Sequence, residues 1–349
     1  MSIQSLDHVI NRALAELLRH CAESRQTALF VLVGGSAAEG FAVCTSDIDL
    51  VLVHADERTI RTRQFIVDNR RVEVTIYSRE EFRDVVSLTR QGCTGPTFFR
   101  QLDSRRRLLF SKPIFGEDRY RAEMEIAKRQ DFMDDLVAFQ RTALLKSFSD
   151  LVGGLHEALH EDDLRIRGRG YLECSVDALL TSIGDTYFRD KWRVARVRRG
   201  MVGSVLGPIR EPVSSLLSGR PLPGTEYLNT FLEQVFAYSA MCQYLAAFSA
   251  FSFEHLLAGD IEACMTRRPA LRTPLLVAGQ GSDVLVRSST STLKLAPALA
   301  NALCLSALGL NAARVGELAG KMTGGEPDGE HLDAILMNLS AVHAKLGIG

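Results

Sequence analysis

Apolar positions along the chain change their spacing twice, and these changes divide the sequence into three predicted parts. In the first part, apolar residues between Leu6 and Leu18 recur three and four positions apart, which is typical of an amphipathic helix. Three short apolar runs then predict strands, at 29–33, 48–53 and 71–77. In the last run apolar and polar residues alternate, as in a strand with one buried face. Residues 1–117 are therefore predicted to form a small α/β (α+β) domain.

Helical spacing dominates the second part, which is predicted to span residues 118–262. Candidate helices lie at 119–160, 171–188 and 226–257. Four prolines within 207–224 predict an irregular connection between two of them. The second part is therefore predicted to be an α-helical bundle.

The third part, residues 263–349, begins with two apolar runs on either side of a Gly-rich turn at 279–283. This order predicts a β-hairpin, and two or three short helices follow it. A hairpin followed by short helices resembles a small winged-helix or peptide-recognition module. The resemblance implies a protein or peptide partner, although recognition of an acceptor and dimer packing fit the pattern equally well.

Composition narrows the classes of partner and compartment. The formal net charge is −1, so the basic excess that favours nucleic-acid binding is missing. Seven scattered cysteines without a Cys-x-x-Cys pair indicate free thiols in a reducing cytoplasm. The N-terminal residues lack the basic start and apolar run of a signal peptide. One uncharged stretch, 235–253, is nearly long enough to span a bilayer, but its polar residues favour a buried core helix, and no membrane is expected.

The first group of residues that indicates chemistry follows the first predicted strand. Gly34 and Gly35 let the backbone turn tightly and approach a ligand without an intervening Cβ. Ser36 then stands where a helix is expected to begin, so its hydroxyl and the nearby N–H groups face one point. Unpaired donors and the positive end of a helix dipole predict a phosphate site.

The second group is Asp47-Ile48-Asp49, at the start of the next predicted strand. Because side chains alternate along a strand, both aspartates project from one face while Ile48 enters the core. Two adjacent carboxylates repel each other unless a hard cation binds them, and Mg²⁺ is the expected ion. Glu73, on the polar face of the neighbouring strand, is the candidate third carboxylate. Together the groups predict a two-metal site for phosphoryl transfer.

These motifs resemble the signature of the DNA polymerase β-like nucleotidyltransferases. That signature is Gly-Ser, about ten residues, Asp-x-Asp and a distant acidic residue on another strand, and the chain has Gly35-Ser36, Asp47-Ile48-Asp49 and Glu73. The resemblance implies a small mixed sheet, with the three acidic residues as catalytic metal ligands. It also implies two Mg²⁺ ions, for which Mn²⁺ can substitute, and a phosphate grip formed by Gly34, Gly35 and Ser36.

The helical second part is similar to the small-molecule members of this family, such as antibiotic nucleotidyltransferases, in which a helical bundle closes over nucleotide and acceptor. This resemblance identifies 107–110 as the closing strand of the catalytic domain. It implies Lys191, within Tyr187-Phe188-Arg189-Asp190-Lys191-Trp192, as a phosphate ligand. The alternative is a solvated basic helix face from Arg189 to Arg199. It also implies Asp177, or Glu173 one helical turn earlier, as a general base.

A competing motif is His156-Glu157-Ala158-Leu159-His160, which matches the zinc-protease pattern His-Glu-x-x-His. On one helix the two histidines would share a face and could bind zinc. The acidic residues that follow favour a solvated turn, so the metalloprotease is the weaker hypothesis.

The sequence thus predicts a cytoplasmic, Mg²⁺-dependent enzyme that moves a nucleoside monophosphate from an NTP, with ATP favoured, to a hydroxyl of a small molecule. Two alternatives stay open. One is nucleotidylation of a protein side chain or an RNA end, and the other is a non-catalytic nucleotide-binding regulator with the same fold.

Overall fold

The computed structural model describes most of the chain in two compact units. The described residues are 3–23, 27–43, 46–55, 61–87, 96–125, 129–200, 207–220, 222, 224–247, 271–280, 283–307, 315 and 329–346. The first unit is Met1–Leu136 and the second is Val137–Gly349.

A five-stranded mixed sheet forms the centre of the first unit. Its strands are β1 (Ala28–Val33), β2 (Ile48–His54), β3 (Arg61–Val67), β4 (Arg70–Ser78) and β5 (Lys112–Phe115). They lie in the order β3-β4-β2-β1-β5, and β2 and β4 are parallel while the other neighbours are antiparallel. Three of these strands were predicted, at β1, β2 and β4. The mixed α/β class and the small mixed sheet are therefore confirmed.

Helices of the first unit cover the sheet and connect its strands. They are α1 (Ile3–Glu23), α2 (Gly35–Ala38), α3 (Arg79–Ser87), α4 (Pro96–Phe110) and α5 (Glu117–Met124). The amphipathic α1 buries Val9, Ala13 and Leu17 in the same cluster as the strand residues Val31 and Leu50. This packing buries one face of the sheet against α1.

A capping box begins α3, in the segment Ser78-Arg79-Glu80-Glu81. The Ser78 hydroxyl accepts from the Glu81 N–H at 3.1 Å, and the Glu81 carboxylate accepts from the Ser78 N–H at 2.7 Å. Two N–H groups at the helix start are thereby satisfied by side chains. The turn out of β4 is thus set by local sequence.

The second unit is mainly helical. Its helices are α6 (Arg129–His156, which begins in the first unit), α7 (Glu161–Ser182), α8 (Arg193–Gly200), α9 (Gly207–Ser218), α10 (Leu228–Ala247), α11 (Pro297–Ala307) and α12 (Gly329–Leu346). The helix α10 packs along α7, and fourteen of its residues are buried. The uncharged stretch from residue 235 is thus a core helix up to Ala247, and its remainder lies outside the described residues.

A three-stranded antiparallel sheet follows in the same unit, with β6 (Leu276–Gln280), β7 (Asp283–Arg287) and β8 (Thr292–Leu295). The predicted hairpin is confirmed as β6 and β7, while β8 was not predicted. Val277, Val284 and Val286 are buried in the core that α7 and α10 also form. The likeness to a winged-helix or peptide-recognition module stays a prediction.

Two local predictions are wrong. Residues 107–110 are the end of α4 instead of a strand, and β5 begins only at Lys112. Leu108 and Leu109 are fully buried, and a short apolar run by itself does not distinguish a buried helix from a buried strand.

The segment 207–224 was predicted to be irregular, but its first twelve residues form α9 with Pro212 inside. Ile209, Val213, Leu216 and Leu217 recur at helical spacing and are all buried. Their burial offsets the hydrogen bond lost at the proline, a loss that costs about 3 kcal/mol.

None of the described helices combines the length and apolar character needed to cross a membrane.

Candidate functional site

A row of polar positions crosses the first sheet where β2 and β4 run side by side. Asp49 on β2 and Glu73 on β4 are register partners, so their side chains leave the same face of the sheet. Gln64 of β3 is the next partner of Glu73. On the other side, the Gly34 N–H donates to the Asp49 backbone oxygen at 2.8 Å. The prediction that Glu73 lies on the strand beside Asp49 is confirmed, whereas its role as a metal ligand stays a prediction.

The Gly34-Gly35-Ser36 loop packs directly against this row. Gly35 has φ +59°, a left-handed conformation that favours glycine, and a Cβ at this position would lie 1.9 Å from Asp49 Oδ2. A Cβ on Gly34 would lie 2.8 Å from the Ser111 hydroxyl. Both glycines are therefore required by close approach, as the sequence suggested.

The helix after the loop is shorter than expected. The helix α2 has a single turn, and Ser36 is buried with its carbonyl accepting from the N–H groups of Phe41 and Ala42. A single turn carries little macrodipole. The N–H groups of Gly35, Ser36 and Ala37, which have no acceptor within a first helical turn, are the donors left for the predicted phosphate grip, which stays a prediction.

Substituting Gly35 by alanine tests the close approach to Asp49. We expect turnover to fall about a hundredfold, because the new methyl group displaces the Asp49 carboxylate by about an ångström. Gly40→Ala is the matched control, since Gly40 has φ +75° but nothing within 4 Å of an added Cβ. The left-handed backbone costs each variant about 1–2 kcal/mol of stability. Any further loss of stability in Gly35→Ala, measured by denaturant unfolding, is due to the clash with Asp49. Equal stability and equal activity in the two variants would contradict the contact.

Cationic and amide groups surround the carboxylates of the row. The Arg107 guanidinium of α4 lies 3.9 Å from Asp49 Oδ1 and 3.1 Å from Asp103 Oδ2. Arg71 and Gln64 each donate to Glu73 at 3.3 Å. Burial lowers the pKa of Arg107, but Asp103, Asp49 and Glu73 outweigh it, so the net pKa is raised and the side chain stays charged. The site can thus offer a fixed positive charge beside a pair of carboxylates.

The fit to a divalent cation depends on two carboxylates rather than three. Asp47 is exposed and lies just before β2, two positions from Asp49. Within the described ranges, no three His, Cys, Asp or Glu side chains are gathered closely enough to hold a metal ion. Mg²⁺ is commonly bound by one or two carboxylates together with water and substrate phosphates. Asp49 and Glu73 fit that mode, whereas Asp47 is not gathered with them into a three-residue group, and its role as a metal ligand stays a prediction.

The predicted base, Asp177, lies on α7 in the second unit and is bound by two arginines. Its Oδ2 accepts from Arg193 at 2.9 Å and its Oδ1 from Arg196 at 2.7 Å, and the residue is buried. Glu173, one turn earlier, is 31% exposed and contacts Arg193 at 3.1 Å. Burial raises the pKa of Glu173 despite that arginine. Of the two acids, Glu173 has the properties that a proton acceptor needs.

Lys191 also belongs to the second unit, in a 3₁₀ turn formed by Asp190–Trp192. Its side chain is exposed, and its ammonium group lies 5.8 Å from the centre of the Trp192 ring. The arginines that follow are not a uniformly solvated face, because Arg196 is fully buried while Arg198 is 48% exposed. The phosphate role of Lys191 stays a prediction.

The zinc-protease motif does not form one helical face. His156 is the last residue of α6, Ala158 has φ +49°, and His160 caps α7 by accepting from the Asp162 N–H at 3.3 Å. Two histidines separated by a chain reversal lack the spacing on which the motif depends. The geometry therefore argues against the metalloprotease hypothesis.

Three site residues were not singled out from the sequence, namely Gln64, Arg107 and Ser111. Gln64 was missed because β3 is an edge strand with few apolar residues, so its sequence does not show the alternation of apolar and polar residues that is typical of a strand. Arg107 and Ser111 were missed because the end of α4 was interpreted as a strand. The helical spacing of Leu102, Leu108 and Leu109, all buried, is the signal that could have placed them.

Three cysteines among the described residues bear on the alternative of thiol chemistry. Cys21, Cys174 and Cys242 are free, and burial raises the pKa of Cys174 to about 11 and that of Cys242 to about 12. Thiolate is therefore scarce at neutral pH in these two residues.

The chain matches no protein-family model and no curated protein.

Proposed function

We propose that this protein is a Mg²⁺-dependent nucleotidyltransferase that transfers a nucleoside monophosphate from an NTP, with ATP favoured, to a hydroxyl of a small molecule. The observation that carries the proposal is the contact of Gly35 with the Asp49 carboxylate, beside Glu73 on the parallel strand. A glycine turn that touches one carboxylate of a neighbouring pair brings phosphate donors and cation ligands to one place.

The reaction requires that the phosphates be bound, that their charge be neutralised and that the acceptor hydroxyl lose its proton. The acceptor oxygen forms a bond to the α-phosphorus while the bond from that phosphorus to the bridging oxygen breaks, and the electron pair leaves with pyrophosphate. Mg²⁺, when bound by Asp49 and Glu73, would supply charge neutralisation for the phosphates. The N–H groups of Gly35 and Ser36 bind phosphate oxygens, and the Arg107 guanidinium adds positive charge on the Asp49 side.

The proton of the acceptor hydroxyl requires a base. Of the two candidate acids on α7, Glu173 suits a base better than Asp177, because both oxygens of Asp177 are already bound by arginines while Glu173 is partly exposed with a raised pKa. A raised pKa strengthens a carboxylate as a proton acceptor. Arg193 orients Glu173 through their contact at 3.1 Å.

The decisive experiment incubates the full chain with each of the four α-labelled NTPs, Mg²⁺ and a panel of hydroxyl acceptors. We expect pyrophosphate release that EDTA abolishes and a mass gain of one nucleoside monophosphate on an acceptor, read by mass spectrometry. A mass gain on the protein itself or on RNA would replace the small-molecule acceptor by the macromolecular alternative. Nucleotide binding without release of pyrophosphate, in Mg²⁺ or Mn²⁺, would leave only the regulator and would contradict the enzyme.

A further inference from the structure

A cavity of about 160 Å³ in the second unit is lined by three arginines. Arg165 and Arg169 project from successive turns of α7, and Arg220 follows the end of α9. Phe231 of α10 forms part of the wall. The volume is below the range of pockets that enclose a whole drug-sized ligand, so the cavity suits a small group.

One of the arginines is held rigidly. Arg165 donates to the carbonyl oxygens of Thr225 and Glu226 at 2.9 and 2.8 Å, and its guanidinium lies 5.1 Å from the centre of the Phe231 ring. It also pairs with Glu161 at 2.7 Å, and its side chain is only 26% exposed. Such a side chain has little conformational entropy left to lose when a ligand binds.

The other two arginines are not needed by the neighbouring helix end. At the end of α9 the Gly219 N–H donates to the Leu216 carbonyl oxygen at 3.3 Å, and the Arg220 N–H donates to the Ser215 carbonyl oxygen at 2.9 Å. Gly219 has φ +71°. This backbone pattern satisfies the last carbonyls by itself. The Arg169 guanidinium nonetheless packs against Gly219, because a Cβ added to Gly219 would lie 2.9 Å from Arg169 Nη2. Among the described residues, neither Arg169 nor Arg220 forms an ion pair within 4 Å, although the charge of Arg169 acts on the Glu173 carboxylate at longer range.

We propose that this cavity binds the phosphate group of a small molecule, at a site separate from the glycine loop of the first unit. Guanidinium groups have the forked donors that phosphate oxygens accept from, and three arginines against one lining acidic residue, Glu226, favour a dianion. A ligand with a single carboxylate carries one negative charge and would balance less of the positive charge of the arginines than a phosphate dianion would. The inference does not depend on the proposed transferase activity.

The test is calorimetric titration of the full chain with inorganic phosphate, glycerol phosphate and acetate, in EDTA and without nucleotide. We expect saturable binding of phosphate, with acetate at least tenfold weaker. Tighter binding of glycerol phosphate than of inorganic phosphate would assign the site to a phosphorylated metabolite, and equal binding would assign it to free phosphate.

Variants locate the binding. Arg169→Ala and Arg220→Ala should each weaken phosphate binding about tenfold, since each removes a charge-assisted contact. Arg198→Ala, which removes an exposed arginine of the same unit, should bind as the unmodified protein does. Arg169→Lys guards against misfolding, because it keeps the charge and should bind with intermediate affinity. Absence of saturable phosphate binding, or unchanged binding in Arg169→Ala and Arg220→Ala, would overturn the proposal.

Discussion

Replacing Asp49 with asparagine is expected to lower the rate of Mg²⁺-dependent pyrophosphate release by roughly a thousandfold or more, equivalent to about 4 kcal/mol of transition-state stabilisation. The amide keeps the shape of the side chain but removes the charge that a cation requires. Glu73→Gln and Asp47→Asn should cause losses of the same kind. Steady-state assays of pyrophosphate release over a series of Mg²⁺ concentrations measure all three.

Asp68→Asn is the matched control for these variants. Asp68 lies in the turn between β3 and β4 of the same sheet, and its left-handed backbone suits asparagine equally well. Its carboxylate pairs with Arg12 at the surface, so its loss should leave turnover unchanged and stability nearly so. Turnover retained in Asp49→Asn, or lost equally in Asp68→Asn, would remove Asp49 from the reaction.

Replacing Arg196 with methionine should destabilise the second unit by about 3–5 kcal/mol. The Arg196 side chain is fully buried and contacts Asp177 at 2.7 Å and Asp185 at 3.2 Å. Without the Arg196 guanidinium, less positive charge balances the buried carboxylates of Asp177 and Asp185. The resulting loss of folding free energy is larger than the contribution of a single surface ion pair. Denaturant unfolding followed by circular dichroism measures the change.

The matched control here is Arg198→Met, on the same short helix but 48% exposed. We expect it to change the free energy of unfolding by less than about 1 kcal/mol. Combining Arg196→Met with Asp177→Asn and Asp185→Asn should restore part of the lost stability, because the unpaired charges are then gone. Similar effects of Arg196→Met and Arg198→Met would show that the buried network contributes little.

The family resemblance implied Asp177 as a candidate base, and this network gives the same residue a structural role. An acidic residue on a helix, followed at a distance by a basic cluster, is typical both of a catalytic acid–base pair and of a structural ion pair. In the structure, guanidinium groups bind both oxygens of Asp177, which favours the role of a structural ion pair. Nothing in the spacing from Asp177 to Arg196 indicates that α7 and α8 pack together, since that contact depends on the tertiary fold.

Edge elements were predicted least well, and the reason is physical. β3 and β5 are the two edges of the first sheet, and an edge strand needs neither continuous apolar character nor a donor at every position. Pro113 in β5 and the exposed Ile66 in β3 are compatible with an edge but obscure the strand pattern. The central strands β1 and β2 are buried on both faces, so their apolar runs are unambiguous.

By itself, the sequence determined the features that depend on neighbouring residues. These are the central strands, the capping box at Ser78, the glycine turn before Ser36 and the position of Asp49 on a strand, because backbone sterics and short hydrogen bonds act over a few residues. Only the tertiary structure decided that Asp49 meets Arg107 and that Asp177 meets its two arginines. Such contacts depend on how helices and strands distant in sequence pack, and the spacing of residues along one segment carries no record of that.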